Sequence, residues 1–174
     1  ERKAEKVEGF DLGNSPHEFT SDVVAGKKLV MNLTHATRAL RLAQEGDRVL
    51  PCALTNLGSV ALEVSTAEHV SIICIGHEDA FSMDDALCAG HLIERILAGP
   101  NSKKDGDSEL NDAARAVRAF AQARKPTKRF LSLSAAGRAV IGVGLEDDLA
   151  LCAEVDRHDV LVEMLDQSIT RAGA

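Results

Sequence analysis

The sequence contains no Trp and no Tyr, and only five Phe in 174 residues. Base-stacking platforms and aromatic cages need such rings, so both are poorly supplied. Positive charge is also short. Twenty Lys and Arg stand against 27 Asp and Glu, a formal charge of −7. That balance argues against a non-specific nucleic-acid binder, which needs a basic stripe. Long hydrophobic runs are missing too. The longest, Ile72 to Ile75, is far too short to span a bilayer, and no basic-then-apolar leader opens the chain. A soluble cytoplasmic protein without membrane partners is the expectation. Cys52, Cys74, Cys88 and Cys152 form no Cys-x-x-Cys pair, which removes zinc ribbons and redox motifs of that spacing. Their apolar surroundings read as small buried hydrophobes in a reduced compartment rather than as disulfides. Walker-type Gly-rich loops, Gly-x-Ser-x-Gly elbows and His-Glu-x-x-His helices are absent as well. The first residue is Glu rather than Met, which reads as a processed or truncated piece.

What is present is a normal globular balance. Hydrophobic residues make up 45% of the chain and charged residues 27%, enough apolar material for one domain with a real core. Residues 1–26 are turn-rich around Gly9, Gly13, Asn14 and Ser15-Pro16. A Ser N-cap followed by Pro suits a short helix through Phe19 to Val24, closed by Gly26. A strand–helix alternation then begins. Strands are predicted at 28–33, 49–53 and 70–75, with Pro51 placing the second at an edge or bulge. Helices are predicted on the stripes Ala36/Ala39/Leu40/Ala43, Leu57/Val60/Ala61/Val64 and Met83 to Leu97. Strand starts about 21 residues apart suit short βαβ units. Val70 to Ile75, apolar on both faces apart from Ser71, is expected to be central and covered.

The predicted fold class is therefore α/β: a mainly parallel or mixed sheet covered by helices, with a helix-rich carboxyl-terminal half. Residues 1–100 form the sheet region with the ligand loops. Residues 101–107 form a polar surface loop. Residues 108–174 form a helix-rich region that packs on the sheet or makes a second lobe. Helices are expected on the stripe Leu110 to Ala121, at 128–140 and at 146–155, a last strand at 159–165, and a frayed tail.

In parallel α/β sheets, ligands bind beyond the carboxyl ends of the strands. Three loops qualify: 34–37, 53–56 and 76–85. Each leads into a helix N-terminus that favours an anion. The hydroxyls of Thr34, Thr37, Thr55 and Ser82 read either as N-caps or as anion donors. Ser82-Met83-Asp84-Asp85 has capping-box spacing, so Asp85 reads as a cap. Yet Glu78, Asp79, Asp84 and Asp85 crowd one loop, and oxygen ligands of that kind also suit Mg²⁺. His35 and His77 lie in these loops, where either could bind a phosphoryl oxygen or relay a proton.

The stretch Glu8-Gly9-Phe10-Asp11-Leu12-Gly13-Asn14-Ser15-Pro16 resembles the 2-phosphosulfolactate phosphatase family. The likeness continues through Thr37-Arg38-Ala39-Leu40 and through Phe81 to Gly90. It reappears at Leu145 to Asp148, Cys152, Asp156-Arg157 and Asp159-Val160, and so covers nearly the whole chain. It implies an α/β fold and a Mg²⁺-dependent phosphatase of coenzyme M biosynthesis, releasing phosphate from 2-phospho-3-sulfolactate or a similar small phosphorylated acid. A catalytically impaired homologue that binds a small anion, or a structural fragment, is the alternative. The resemblance points to the carboxyl-terminal portion of such an enzyme. Two departures stand out: His35-Ala36 replaces the usual Asn-Gly, and Lys3-Ala4 a frequent Gly-Gly.

The expected catalytic residues are Asp11 and Asp85, carried onto this chain by the resemblance, and His35, read from its place in the loop after the first strand. Implied substrate-binding residues are Arg2, Asn14, Ser15, Thr34, Thr37, Arg38 and Ser82. Glu1, Asp11 and Asp85 are the implied Mg²⁺ ligands. If the site is real, Asp11, Asn14, Thr34, Thr37, Ser82 and Asp85 should line one pocket. The expected partner is a small phosphorylated, sulfonated acid, and the expected assembly a homodimer.

Overall fold

The structure, a computed structural model, describes residues 6–33, 35–99 and 109–173. Helices are spread through these residues. In order they are α1 (Ser21–Val24), α2 (Ala36–Ala43), α3 (Leu57–Glu63), α4 (Met83–Ala98), α5 (Asp112–Ala123), α6 (Lys128–Leu131), α7 (Ala135–Gly142) and α8 (Asp148–Cys152). Short 3-10 turns at Pro16–Glu18, Leu54–Asn56 and Val64–Thr66 join them. Two strands follow: β1 (Val162–Leu165) and β2 (Ser168–Arg171) pair as an antiparallel hairpin.

This arrangement corrects the predicted α/β class. Among the described residues the hairpin is the one sheet, and helices are not confined to the carboxyl-terminal half. Residues 28–33 and 69–75 form no strand, and no ladder pairs them. The third expected strand is not covered either. Val70, Ile72, Ile73 and Ile75 are 37–48% exposed, and Val30 is 86% exposed. The physical reason lies in what an apolar β-branched run encodes. It favours extended backbone locally, whereas a strand exists only when a second backbone lies within about 5 Å to take its hydrogen bonds. Residues 49–55 come nearest to pairing. Val49 O accepts from the Met164 N–H, Leu54 O from Asp156 and Thr55 O from His158, as single bonds rather than a ladder. The tail is also corrected, since residues predicted to fray form β2.

Helix signals translate better. α4 runs 16 residues because Ser82 caps its start and Gly99 ends it. Asn111 caps α5, its side chain accepting from the Ala114 N–H at 2.8 Å. The helix expected at 128–140 breaks in two at Ser134, whose hydroxyl accepts from the Gly137 N–H and caps α7.

The core is organised around α4. One side of this helix places Leu92 with Leu54, Leu57, Val60 and Ala61 from the 54–61 region. Another side places Leu87 with Phe130, Leu131 and Leu149. A third side meets α5 at Gly90. A Cβ there would overlap the Val117 carbonyl and lie 2.7 Å from the Ala121 Cβ. Glycine thus sets how closely the two backbones approach.

Candidate functional site

The N-terminal turn of α4 holds Ser82, Asp84 and Asp85 in one hydrogen-bonded set. Ser82 is buried and extended, and its Oγ accepts from the Asp85 N–H at 3.2 Å, as an N-cap should. Its hydroxyl proton goes to Asp84 Oδ1 at 2.8 Å. Asp85 does not complete a capping box. Its Oδ2 instead accepts the Gly76 N–H at 2.7 Å, and the Ile75 N–H also serves this carboxylate. Asp85 therefore clamps the incoming loop to the helix. Burial pushes its pKa above the ordinary aspartate value, and the charge of Asp84 adds to that rise; the Gly76 bond opposes it.

The clamped loop turns sharply. Gly76, Glu78 and Asp79 all have positive φ, and His77 and Ala80 close the turn by exchanging backbone hydrogen bonds. This loop holds the start of α2. Arg38 donates to Asp79 Oδ1 at 2.8 Å, and the Glu78 N–H donates to His35 Nε2 at 3.4 Å. The His35 and His77 rings lie 5.9 Å apart and tilted. The loops after the first and third expected strands thus do meet, although neither run is a strand. Thr37 is exposed and spends its hydroxyl on Leu33 O at 2.8 Å.

Asp11 and Asn14 lie elsewhere, on the wall of a cavity of about 500 Å³ between residues 6–14 and 27–33. Lys6, Lys27 and Lys28 also line it, so its charge suits an anion despite the acidic chain. Asn14 borders a second cavity of about 380 Å³, beside Gly142 and Leu145. Ser82, Asp85 and Thr37 do not line the larger cavity. Of the six residues expected in one pocket, Thr34 lies outside the described residues and the other five fall into two groups. Glu1 and Arg2 are also outside them.

A buried hydrogen bond ties the first group to α8. Ser15, expected to cap its turn, instead donates to Asp148 Oδ1 at 2.8 Å, and both residues are buried. His17 Nε2 stands 3.7 Å from the same oxygen. Asp148 and Asp84 both act on Cys152, whose thiol is raised mainly by burial. The Asp11–Ser15 turn is thereby moored to α8, and α8 neighbours the acidic start of α4. In the sequence, the signal for Asp148 is the family-like segment Leu145 to Asp148. The cavity lysines were missed because Lys28 was read as a strand start.

Among the described residues, no three His, Cys, Asp or Glu side chains are grouped closely enough to hold a metal. Mg²⁺ asks for less, since one or two carboxylates complete its shell with waters and substrate oxygens. Asp84 and Asp85, adjacent and mutually repelling, meet that minimum. No helix among the described residues is long and apolar enough to cross a membrane.

A 2-phosphosulpholactate phosphatase family model matches residues 1–167. Similar proteins include a probable 2-phosphosulfolactate phosphatase of Clostridium novyi, 36% identical over 98% of this chain and 71% of the relative. A Clostridium perfringens protein of the same description is 32% identical over 94% and 64%. A Synechococcus one is 36% identical over 99% and 71%. With the motifs at Asp11–Ser15 and Phe81–Gly90 inside the matched span, the chain belongs to the 2-phosphosulfolactate phosphatase family.

Proposed function

We propose that this protein is a Mg²⁺-dependent phosphatase that releases phosphate from 2-phospho-3-sulfolactate or a similar small phosphorylated acid. The observation that carries the reading is the family match over residues 1–167. The lysine-lined cavity against the Asp11–Asn14 motif supports it. Such a substrate carries phosphate, sulfonate and carboxylate, so it needs several cationic and N–H donors at one place. Lys6, Lys27, Lys28 and Asn14 line one cavity and supply them there. Arg38, paired with Asp79 in the other group, and Arg2 and Thr34 belong to the proposed set.

Asp85 is proposed to hold Mg²⁺, which when bound would neutralise charge on the phosphate oxygens; Asp11 stands on the wall of the lysine-lined cavity, apart from Asp85, and Glu1 lies outside the described residues. The protein's own groups orient and exchange protons. His35 is the proposed proton carrier, its Nε2 accepting from the Glu78 N–H at 3.4 Å. Ser15 positions the Asp11 turn through Asp148, and Ser82 sets the rotamer of Asp84. A role in coenzyme M biosynthesis, a cytoplasmic location and a homodimer complete the proposal.

The test is phosphate release by the full-length enzyme as Mg²⁺ is titrated, in wild type and Asp85→Asn. The expected result is a variant that folds, needs far more Mg²⁺ and turns over at least about tenfold more slowly. Equal metal dependence and rate in both proteins would remove Asp85 from the site. Substrate binding by wild type without phosphate release would replace the enzyme reading with a binding one.

A further inference from the structure

Cys52 and Cys88 are distant in sequence and neighbours in space. Cys52 lies in the extended segment that enters the 54–56 turn. Cys88 lies on α4, one turn past Asp85. Both pack against the cluster of Leu54, Leu57, Val60, Ala61 and Leu92, where the two thiols act on each other, while the Cys52 S–H points to its own chain, at Ala53 O 3.8 Å away. Both are free and half-buried, so a small oxidant can reach them. Each sits on a firm support. Asn56 brackets Cys52, accepting the Ala53 N–H at 2.8 Å and donating to Pro51 O at 3.2 Å. Cys88 is inside the 16-residue α4.

We propose that Cys52 and Cys88 are a redox modification site, forming a reversible intramolecular disulfide when the protein meets a peroxide. The contact also assigns the order of events. The neighbouring Cys88 thiol draws Cys52 below its ordinary value, while Cys52 and burial hold Cys88 above. The Cys52 thiolate attacks the peroxide. An S–O bond forms, the O–O bond breaks, and hydroxide leaves to take up a proton as water. The Cys88 sulfur then attacks the sulfenic sulfur of Cys52. An S–S bond forms, the S–O bond breaks, and a second water leaves with the Cys88 proton. Two thiols and one hydrogen peroxide thus become one disulfide and two waters. The product ties residues 51–53 to the helix that carries Asp84 and Asp85. This inference stands independently of the phosphatase reading.

The experiment uses the full-length protein and the Cys74→Ser/Cys152→Ser double variant, each treated with hydrogen peroxide. In both, intact mass should fall by two hydrogens, a linked peptide pair should join Cys52 to Cys88, and dithiothreitol should restore the thiols. The oxidised form should melt higher than the reduced form, because the cross-link restricts the unfolded chain. In Cys88→Ala, Cys52 should stop at sulfenic acid and be captured by dimedone. Full alkylation of both thiols after peroxide, in protein with unchanged circular dichroism, would overturn the proposal. So would links from Cys88 to Cys74 or Cys152 in place of Cys52. The peptide map of the unmutated protein decides even if the alanine variant fails to fold.

Discussion

Asp85 shows how one side chain can satisfy two readings of a motif. Its spacing from Ser82 suits a cap, and Ser82 does cap the Asp85 N–H. The carboxylate itself turns away and holds Gly76, whose positive φ lets the loop reverse. Burial disfavours its charge, so the folded protein binds this proton more tightly than the unfolded chain does. In the window above the ordinary aspartate value the folded state therefore carries more protons, and stability falls as pH rises through it. Asp85→Asn removes the titration while keeping an oxygen for the Gly76 N–H. Urea unfolding across that window should show a downward slope in wild type that is shallower in the variant. Parallel pH profiles would mean that the carboxylate is not desolvated. Ser15 carries a similar lesson. Its position before Pro16 suggests a cap, but its hydroxyl is committed to Asp148.

At the scale of elements, α4 is the member on which the others are assembled. Its length and stop were legible from Ser82, the apolar stripe and Gly99-Pro100. Which helices would flank it was not, because amphipathic stripes state that a face is buried without naming a partner. Gly90 shows the gap. In isolation a mid-helix glycine reads as a weakness of about 1 kcal/mol relative to Ala. Against α5 it is the point where two backbones touch. Gly90→Ala should thus lower stability by about 2 kcal/mol, the overlap with Val117 and Ala121 outweighing the gain in helix propensity. Denaturant unfolding measures it, and a more stable variant would show that the helices do not approach so closely. Arg118 and Gln122 of α5 both bond to Glu94 of α4, which keeps that carboxylate below its usual value. The pair is largely exposed, so it orients the helices more than it stabilises them.

Across the whole molecule the governing quantity is charge. A net −7 repels a polyanionic substrate, so the lysines around the larger cavity must reverse the field locally. Lys28→Gln should raise KM for the phosphorylated acid by about tenfold with a smaller change in kcat, the pattern of a lost substrate contact. The difference from wild type should shrink as salt is added, because the interaction is screened within about 10 Å at 0.1 M. Steady-state kinetics at two ionic strengths checks this; an unchanged KM would place the substrate outside that cavity. At the same scale, Arg48 joins α3 to the hairpin by bonding both Glu63 and Glu163. These three residues lie far apart in the chain, and nothing local in the sequence announces their meeting.

Local chemistry was therefore readable without coordinates. The stops at Gly26 and Gly99, the Ser82 cap, the stripes of α2 to α5 and the family motifs all follow from residue type and short spacing, because each concerns groups within a few residues of one another. The sheet was not readable in this way. Residues 28–33 and 70–75 have the composition of strands, but pairing depends on which backbone lies alongside, and that is a property of the folded chain. The candidate site divides along the same line. Asp11, Ser15, Ser82 and Asp85 stand out as residues in the sequence. Their separation into a lysine-lined cavity and an acidic helix start, moored through Ser15 to Asp148 and α8, was decided by tertiary packing, since burial, desolvation and hydrogen-bond choice are set by neighbours distant in sequence.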